Sequence, residues 1–299
     1  TNKMKFGITA PNNWGIEEPS EVFKIGKFYE DLEFDSLWTM DHLFNIGYIG
    51  KRLNDKPYYH PLGTLSCISV LTSKIQLGTS IMVLPYHNPI ELAKYAATLD
   101  QFSAGRLILG VGVGAMTEEF EALGISMSQR AILTNESINI MRELWENELP
   151  TYKSPRWDFE NVTFSPKPYN HSIPIWVGGS SPGAIKRAAT LGDGWHPSGI
   201  SPAEFHEGKS KIEEICASTN RDNTKLDYSI RLDVSPNKSA VNPRHDLFLN
   251  GEDPLQIAEI VNSYQEQGVD HVIFAISSSD IIETKNIAER ISKTTFDQF

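Results

Sequence analysis

Hydrophobic positions along the chain switch repeatedly between a period of two and a period near 3.6, with glycine or proline at most switches. Lys5–Ala10 (KFGITA) reads as a first strand, and Pro19 and Ser20 open a helix with Val22, Ile25, Tyr29 and Leu32 on one face. Ser36–Met40 gives a second strand, followed by a loop rich in Gly, Asn and Tyr. A helix near Leu62–Thr72 precedes a third strand, Ile75–Leu84, and Pro89–Phe102 is helical again. Arg106–Val111 is the fourth strand. These β–α steps recur at close to the ~30-residue length of a βαβ unit.

The alternation then pauses. From Gly112 to Ser172 the pattern predicts one strong helix, with Ile138, Met141 and Trp145 at helical spacing, and then an irregular, proline-rich piece from Trp157 to Tyr169. Positions 113–172 are therefore expected to be a large insertion, and long excursions of this kind usually serve function or an interface. Strands resume at Ile173–Val177, Gly194–Pro197, Asp227–Val234 and His271–Ile276. Helices follow near Gly183–Leu191, Pro202–Ala217, Pro254–Gln267 and Asp280–Ser292. The expected architecture is α/β, a single (β/α)8 TIM barrel over residues 1–299 with its insertion after strand four.

Composition narrows the class. The chain has 299 residues, of which 40% are hydrophobic, an ordinary share for a packed globular protein. No apolar run approaches the ~18 residues needed to span a membrane, and the start TNKMKFGITA lacks the apolar core of a signal peptide. Met4 is a candidate natural start, with Thr1–Lys3 lying ahead of it. Only Cys67 and Cys216 occur, far apart, which argues against a disulfide framework and for a cytoplasmic protein. A net charge of -11 argues against non-specific binding to nucleic acid or an anionic membrane.

Barrel active sites gather at the C-terminal ends of strands. Those positions carry Asn12, Asn13 and Trp14 after strand one and Asp41-His42 after strand two. Glycine runs follow strands four and five, and Arg231 and Asp233 come from strand seven. Aromatic, amide and small residues suit a flat aromatic ligand better than a two-carboxylate hydrolase. Asp41-His42 is the best proton-transfer pair, because imidazole titrates near neutrality. In IPIWVGGSSPGAIKRAATLGDGW (Ile173–Trp195), a β-branched run stops at Gly178-Gly179, and Ser180 and Ser181 lead into a helix. Backbone N–H groups at such a helix start suit phosphate.

Other chemistries fit less well. The run from Gly110 to Ala115 satisfies G-x-G-x-x-G/A, but it ends the fourth strand instead of the first, the wrong context for a dinucleotide fold. His60, His87 and His196 lie on separate loops without metal-ligand spacing, so no metal site is expected. Cys67 sits mid-helix in an apolar stretch and is expected in the core.

In order and spacing the motifs resemble the bacterial-luciferase-like superfamily of flavin and deazaflavin oxidoreductases, across nearly the whole chain. The carriers are SLWTMDHL (Ser36–Leu43), the segment from Ile75 to Gly114, EEFEALGISMSQR (Glu118–Arg130), the Ile173–Trp195 stretch and GVDHVIF (Gly268–Phe274). The resemblance implies an isoalloxazine-type ring in the barrel mouth and, from Asp41-His42, the coenzyme F420 branch. It also implies a non-proline cis peptide at Ser80–Ile81 backing the ring. Asp41, Thr79, Ser80 and Ile81 would contact the coenzyme, Gly112 and Gly114 its tail, and Gly178, Gly179, Ser180 and Ser181 its phosphate.

The implied activity is hydride transfer between F420 and a small organic substrate, with His42 exchanging the proton, Asp41 orienting it, and Trp14 and Trp38 walling the substrate side. A homodimer is the implied assembly. An FMN-dependent monooxygenase using reduced flavin and oxygen is the alternative, and a non-catalytic flavin-binding protein the second. Ala115, Asn12 and Asn13 stand where sugar-phosphate dehydrogenases of the family carry carboxylates, which speaks against glucose-6-phosphate oxidation.

Overall fold

Proline begins six of the ring helices, and in each the preceding residue caps the end with its side chain. The pairs are Glu18-Pro19, His60-Pro61, Asn88-Pro89, Ser181-Pro182, Ser201-Pro202 and Asp253-Pro254. A missing N–H costs nothing at the first helical position, and the cap satisfies one of the orphan donors behind it. This local chemistry fixes where each strand hands over to its helix. The computed structural model describes residues 3–236 and 248–299.

The ring strands are β1 (Lys5–Thr9), β2 (Ser36–Thr39), β3 (Gln76–Thr79) and β4 (Leu107–Gly112). They continue as β5 (Ile175–Gly178), β6 (Gly194–His196), β7 (Asp227–Ser235) and β8 (His271–Ile276). Each pairs in parallel with the next, and β8 pairs with β1 to close the barrel. The helices outside are α1 (Pro19–Asp31), α2 (Pro61–Leu71), α3 (Pro89–Phe102), α4 (Arg130–Glu146), α5 (Pro182–Leu191), α6 (Pro202–Ser218), α7 (Pro254–Gln265) and α8 (Ile281–Arg290). Between strands and helices lies the main apolar core, and a smaller cluster of Trp38, Ile108, Trp176 and Ile273 fills the inside of the barrel.

Several expectations need correction. Strand three does not run unbroken from Ile75 to Leu84: β3 stops at Thr79, the Ser80–Ile81 peptide is cis, and Met82–Val83 pairs with β4 before a turn over Leu84–Tyr86. Within 113–172, α4 packs against both α3 and α5, and Trp145 Nε1 donates to Ala93 O at 3.0 Å, so this helix belongs to the ring. The same stretch also holds a short helix, Thr117–Ala122, and a small hairpin, Tyr152–Lys153 with Asp158–Phe159. Cys67 is exposed and outside the core; it faces away from the Leu65 and Ile68 side of α2. Gly47–Leu53, read as loop, is a short helix, and Phe248–Asn250 adds a strand beside β7.

One carboxylate ties the bottom of the barrel. Glu30 at the end of α1 accepts from the backbone N–H groups of Ser73, Lys74 and Ile75 at 2.9, 2.7 and 3.0 Å, fixing the turn that enters β3. Burial raises its pKa, but these three donors and Lys27 outweigh that and hold it down to about 2, from an ordinary 4.5. A depressed pKa gives stability that is present above 4.5 and lost as pH falls toward 2. Glu30→Gln is therefore expected to cost about 1–3 kcal/mol at neutral pH, as for hydrogen bonds to a charged group. Urea unfolding at a series of pH values should show the difference from the parent protein shrinking with acid.

Candidate active site at the barrel mouth

The floor of the mouth is the Ser80–Ile81 segment, held by hydrogen bonds whose directions can be worked out. Ser80 N donates to Thr39 O at 2.7 Å, and Thr79 Oγ1 donates to Gly110 O at 2.7 Å. Ser229 Oγ donates to Trp195 O at 3.1 Å, so toward His196 Nδ1, 2.7 Å away, it acts as acceptor. Burial, with Arg231 and His271 nearby, pushes the His196 pKa well below its ordinary value, so the ring is neutral. Its Nε2 must then accept from Ser80 Oγ at 2.8 Å. Arg231 completes the set by donating to Ser80 O at 2.9 Å and Ser80 Oγ at 3.2 Å.

Above this floor Ile81 lies flush on β4 and β5, because glycines leave the room. A Cβ on Gly112 would sit 2.5 Å from Ile81 Cδ1, and one on Gly178 would sit 3.0 Å from Ile81 Cγ2. At Gly110 the constraint is harder: a Cβ would meet Thr79 O at 1.9 Å. Gly114 packs beside Val83 and Phe120. Past β5, Gly179 has a φ of +91°, Ser180 is exposed, and Ser181 Oγ caps α5 by accepting from Ala184 N at 3.2 Å. The mouth thus offers a flat apolar seat beside a helix N-terminus, which can take a planar ring and an anionic tail.

Asp41 and His42 turn to different partners. Asp41 Oδ2 accepts from Val83 N at 3.0 Å and from His87 Nε2 at 2.7 Å, while its Oδ1 is buried without a hydrogen-bond partner among the described residues. His42 turns the other way. Its Nδ1 lies 2.7 Å from Glu119 Oε1, and Tyr48 OH lies 3.2 Å from its Nε2. The second oxygen of Glu119 accepts from Leu43 N at 2.9 Å. Glu119, not Asp41, orients His42. Tyr58 meets the His42 ring edge-on at 6.1 Å, and burial, with Asp41 nearby, raises its pKa well above the ordinary value.

Trp38 does not wall a substrate pocket. It is fully buried, stacked on Trp176 with ring centres 5.2 Å apart and on His196 at 5.1 Å. Trp14 is half-buried under the Arg52 guanidinium, 4.1 Å from its ring centre. Sequence reasoning missed Glu119, His87, Tyr48 and the Ser80–His196–Arg231 set. Glu118-Glu119 at a helix start reads as acidic residues favouring the helix dipole, and nothing in its spacing marks Glu119 as a histidine partner.

A closed eight-stranded parallel barrel with glycine-lined strand ends and a hydrogen-bonded histidine at its mouth places the chain in the class of α/β-barrel proteins. The chain belongs to the luciferase-like monooxygenase family, whose family model matches residues 4–247. An uncharacterised protein of Mycobacterium tuberculosis is 33% identical over 177 residues, covering 59% of this chain and 62% of that relative. The F420-dependent glucose-6-phosphate dehydrogenase of Microbacterium testaceum is 26% identical over 263 residues, 83% of this chain and 72% of that protein. Among solved structures, an F420-dependent secondary alcohol dehydrogenase in complex with an F420-acetone adduct superposes with a TM-score of 0.80 at 20% identity, covering 98% of this chain and 99% of that one. A monooxygenase from Streptomyces bottropensis gives 0.80 at 19% identity, covering 97% and 98%.

The glycine contacts separate two kinds of tight position. Gly110→Ala places its methyl on backbone that cannot move aside, and a loss of more than about 3 kcal/mol or failure to fold is expected. Gly112→Ala meets only the far end of Ile81, and the cost should stay near 1–3 kcal/mol. Denaturant unfolding of both variants checks the order.

Proposed function

We propose that this chain is an F420-dependent oxidoreductase that moves a hydride between the deazaflavin and a small organic substrate. The observation that carries the reading is His42, held at the mouth between Glu119 and Tyr48. F420 would supply the hydride chemistry when bound. Ile81 would lie against its ring, with Thr79 and Ser80 fixing that contact, and the unpartnered Asp41 Oδ1 would take a donor from it. Gly112 and Gly114 would leave space for its tail. Gly178, Gly179, Ser180 and Ser181 would receive its phosphate at the N-terminus of α5, without a basic patch.

The F420-dependent relatives support this reading, and the buried, unpartnered acceptor on Asp41 fits a ring that carries N–H or O–H donors. His42 would give or take the proton that accompanies the hydride. The second reading, reduced FMN with oxygen, draws on the family's monooxygenase description and the Streptomyces bottropensis neighbour. We also propose a homodimer, since Val70 and Leu71 on α2 and Phe102 at the end of α3 are exposed apolar side chains on adjacent helices.

Competitive fluorescence titration with F420 and FMN separates the readings. Micromolar or tighter binding of F420 with much weaker FMN binding is expected. Preference for FMN, with oxygen consumption, would overturn the hydride-transfer reading. His42→Ala should lower turnover by about 10²–10⁴-fold, as for loss of a positioned acid–base group, while leaving F420 affinity within a few-fold.

A further inference from the structure

Glu119 has a side chain with no exposed surface, and a carboxylate so placed is costly unless its oxygens are satisfied. The Tyr86 hydroxyl lies near it, and its two hydrogen-bond partners differ in kind. Leu43 N is a backbone amide and can only donate, so Oε2 is committed as an acceptor. Oε1 faces His42 Nδ1 at 2.7 Å, and an ionised carboxylate offers that nitrogen nothing but an acceptor. His42 therefore satisfies the carboxylate only with its proton on Nδ1. A free imidazole prefers the other tautomer, with the proton on Nε2, so the fold reverses the default.

We propose that Glu119 is the positioning residue that locks His42 in the Nδ1–H tautomer and leaves Nε2 as the only nitrogen that exchanges a proton. Tyr48, 3.2 Å from Nε2, is the hydrogen-bond partner on the exchanging side. Neutral His42 receives a hydrogen bond there from the Tyr48 hydroxyl, and protonated His42 donates one back. Glu119 keeps the Nδ1 proton in both states and stabilises the imidazolium when it forms. The carboxylate acts only through His42.

The chemical consequence rests on the oxidoreductase reading; the tautomer does not. For reduction of a carbonyl, the hydride from the reduced coenzyme forms the new C–H bond and the C=O π pair moves to oxygen. That oxygen takes the proton from His42 Nε2, directly or through the Tyr48 hydroxyl. His42 ends neutral, still donating from Nδ1 to Glu119, and the coenzyme ends oxidised. Alcohol oxidation is the same path in reverse, with bare Nε2 as the base. In both directions a second proton on Nδ1 is never given up, so one nitrogen carries all the traffic.

Nitrogen-15 NMR of protein labelled at histidine reads the tautomer directly, in the alkaline limit where the His42 signals no longer move with pH. The His42 signals, among those of 8 histidines, are identified by their loss in His42→Gln. The expected result is a protonated Nδ1 and a bare Nε2. In Glu119→Gln the single amide oxygen is claimed by Leu43 N–H, the NH2 group faces Nδ1, and the tautomer should invert. Tyr48→Phe should leave it unchanged.

A proton on Nε2 in the parent protein, no change in Glu119→Gln, or inversion in Tyr48→Phe would each overturn the assignment. If Glu119→Gln does not fold, the parent and Tyr48→Phe spectra decide. With F420 bound, Glu119→Gln should lower kcat by about 10²-fold with KM little changed, the signature of an interaction used in the transition state. An unchanged kcat would remove the positioning role. Failure of F420 to bind would sink the F420 hydride-transfer reading alone and leave the NMR result standing.

Discussion

The glycine-lined seat at the mouth of this barrel depends on how tightly the Ser80–Ile81 segment is held from below. Arg231 and Thr39 grip Ser80 from β7 and β2, and His196 grips it from β6. Three strands that are distant in sequence thus converge on one residue. The grip is polar and buried, so each bond left unmade would expose a buried group to a penalty of about 1–3 kcal/mol. Neutral His196 is what lets the chain run in one direction, from Arg231 through Ser80 to Ser229 and the Trp195 carbonyl. With Ser80 fixed, Ile81 has one place to lie, against Gly112 and Gly178.

The two buried carboxylates beside that seat are built alike and left in different states. Asp41 takes a backbone N–H from Val83 and an imidazole from His87, and Glu119 takes a backbone N–H from Leu43 and an imidazole from His42. Asp41 receives both on one oxygen, which leaves Oδ1 as spare acceptor capacity at the mouth. Glu119 spends one oxygen on each and has no comparable vacancy. The first arrangement suits contact with a ligand, whereas the second suits holding another side chain still. Two acidic residues of similar burial thus differ in what they leave open, one with a spare acceptor and one with both oxygens engaged.

Most of the barrel was legible because its signals are local. Proline at the first helical position and a polar cap before it mark the starts of α1, α2, α3, α5, α6 and α7 within one residue of their observed places. The failures were non-local. Whether α4 joins the ring depends on Trp145 reaching Ala93, which no periodicity states. Trp38 lies at a strand end and could serve the mouth or the interior; its stacking on Trp176 and His196 decides for the interior. Cys67 shares a turn with Leu65 and Ile68, yet α2 buries only that other side. Asp41-His42 reads as a pair by adjacency, but the two side chains take separate partners, His87 and Val83 for one and Glu119 and Tyr48 for the other.

The partner of His42 comes from farther along the chain, on an element outside the ring. Tyr48 lies on the short helix after β2, and Glu119 lies on the short helix after β4. Neither helix belongs to the ring. They are joined by a small apolar cluster in which Met116 packs with Ile49 and Leu53, flanked by Tyr48 and Tyr58. That cluster, separate from the main core, sets the distance between the Glu119 carboxylate and the His42 ring. Changes there would alter the contacts of His42 while the barrel beneath keeps its strands, its glycine seat and its grip on Ser80. The scaffold and the surroundings of His42 are therefore stabilised by different sets of contacts, and the second set is the smaller.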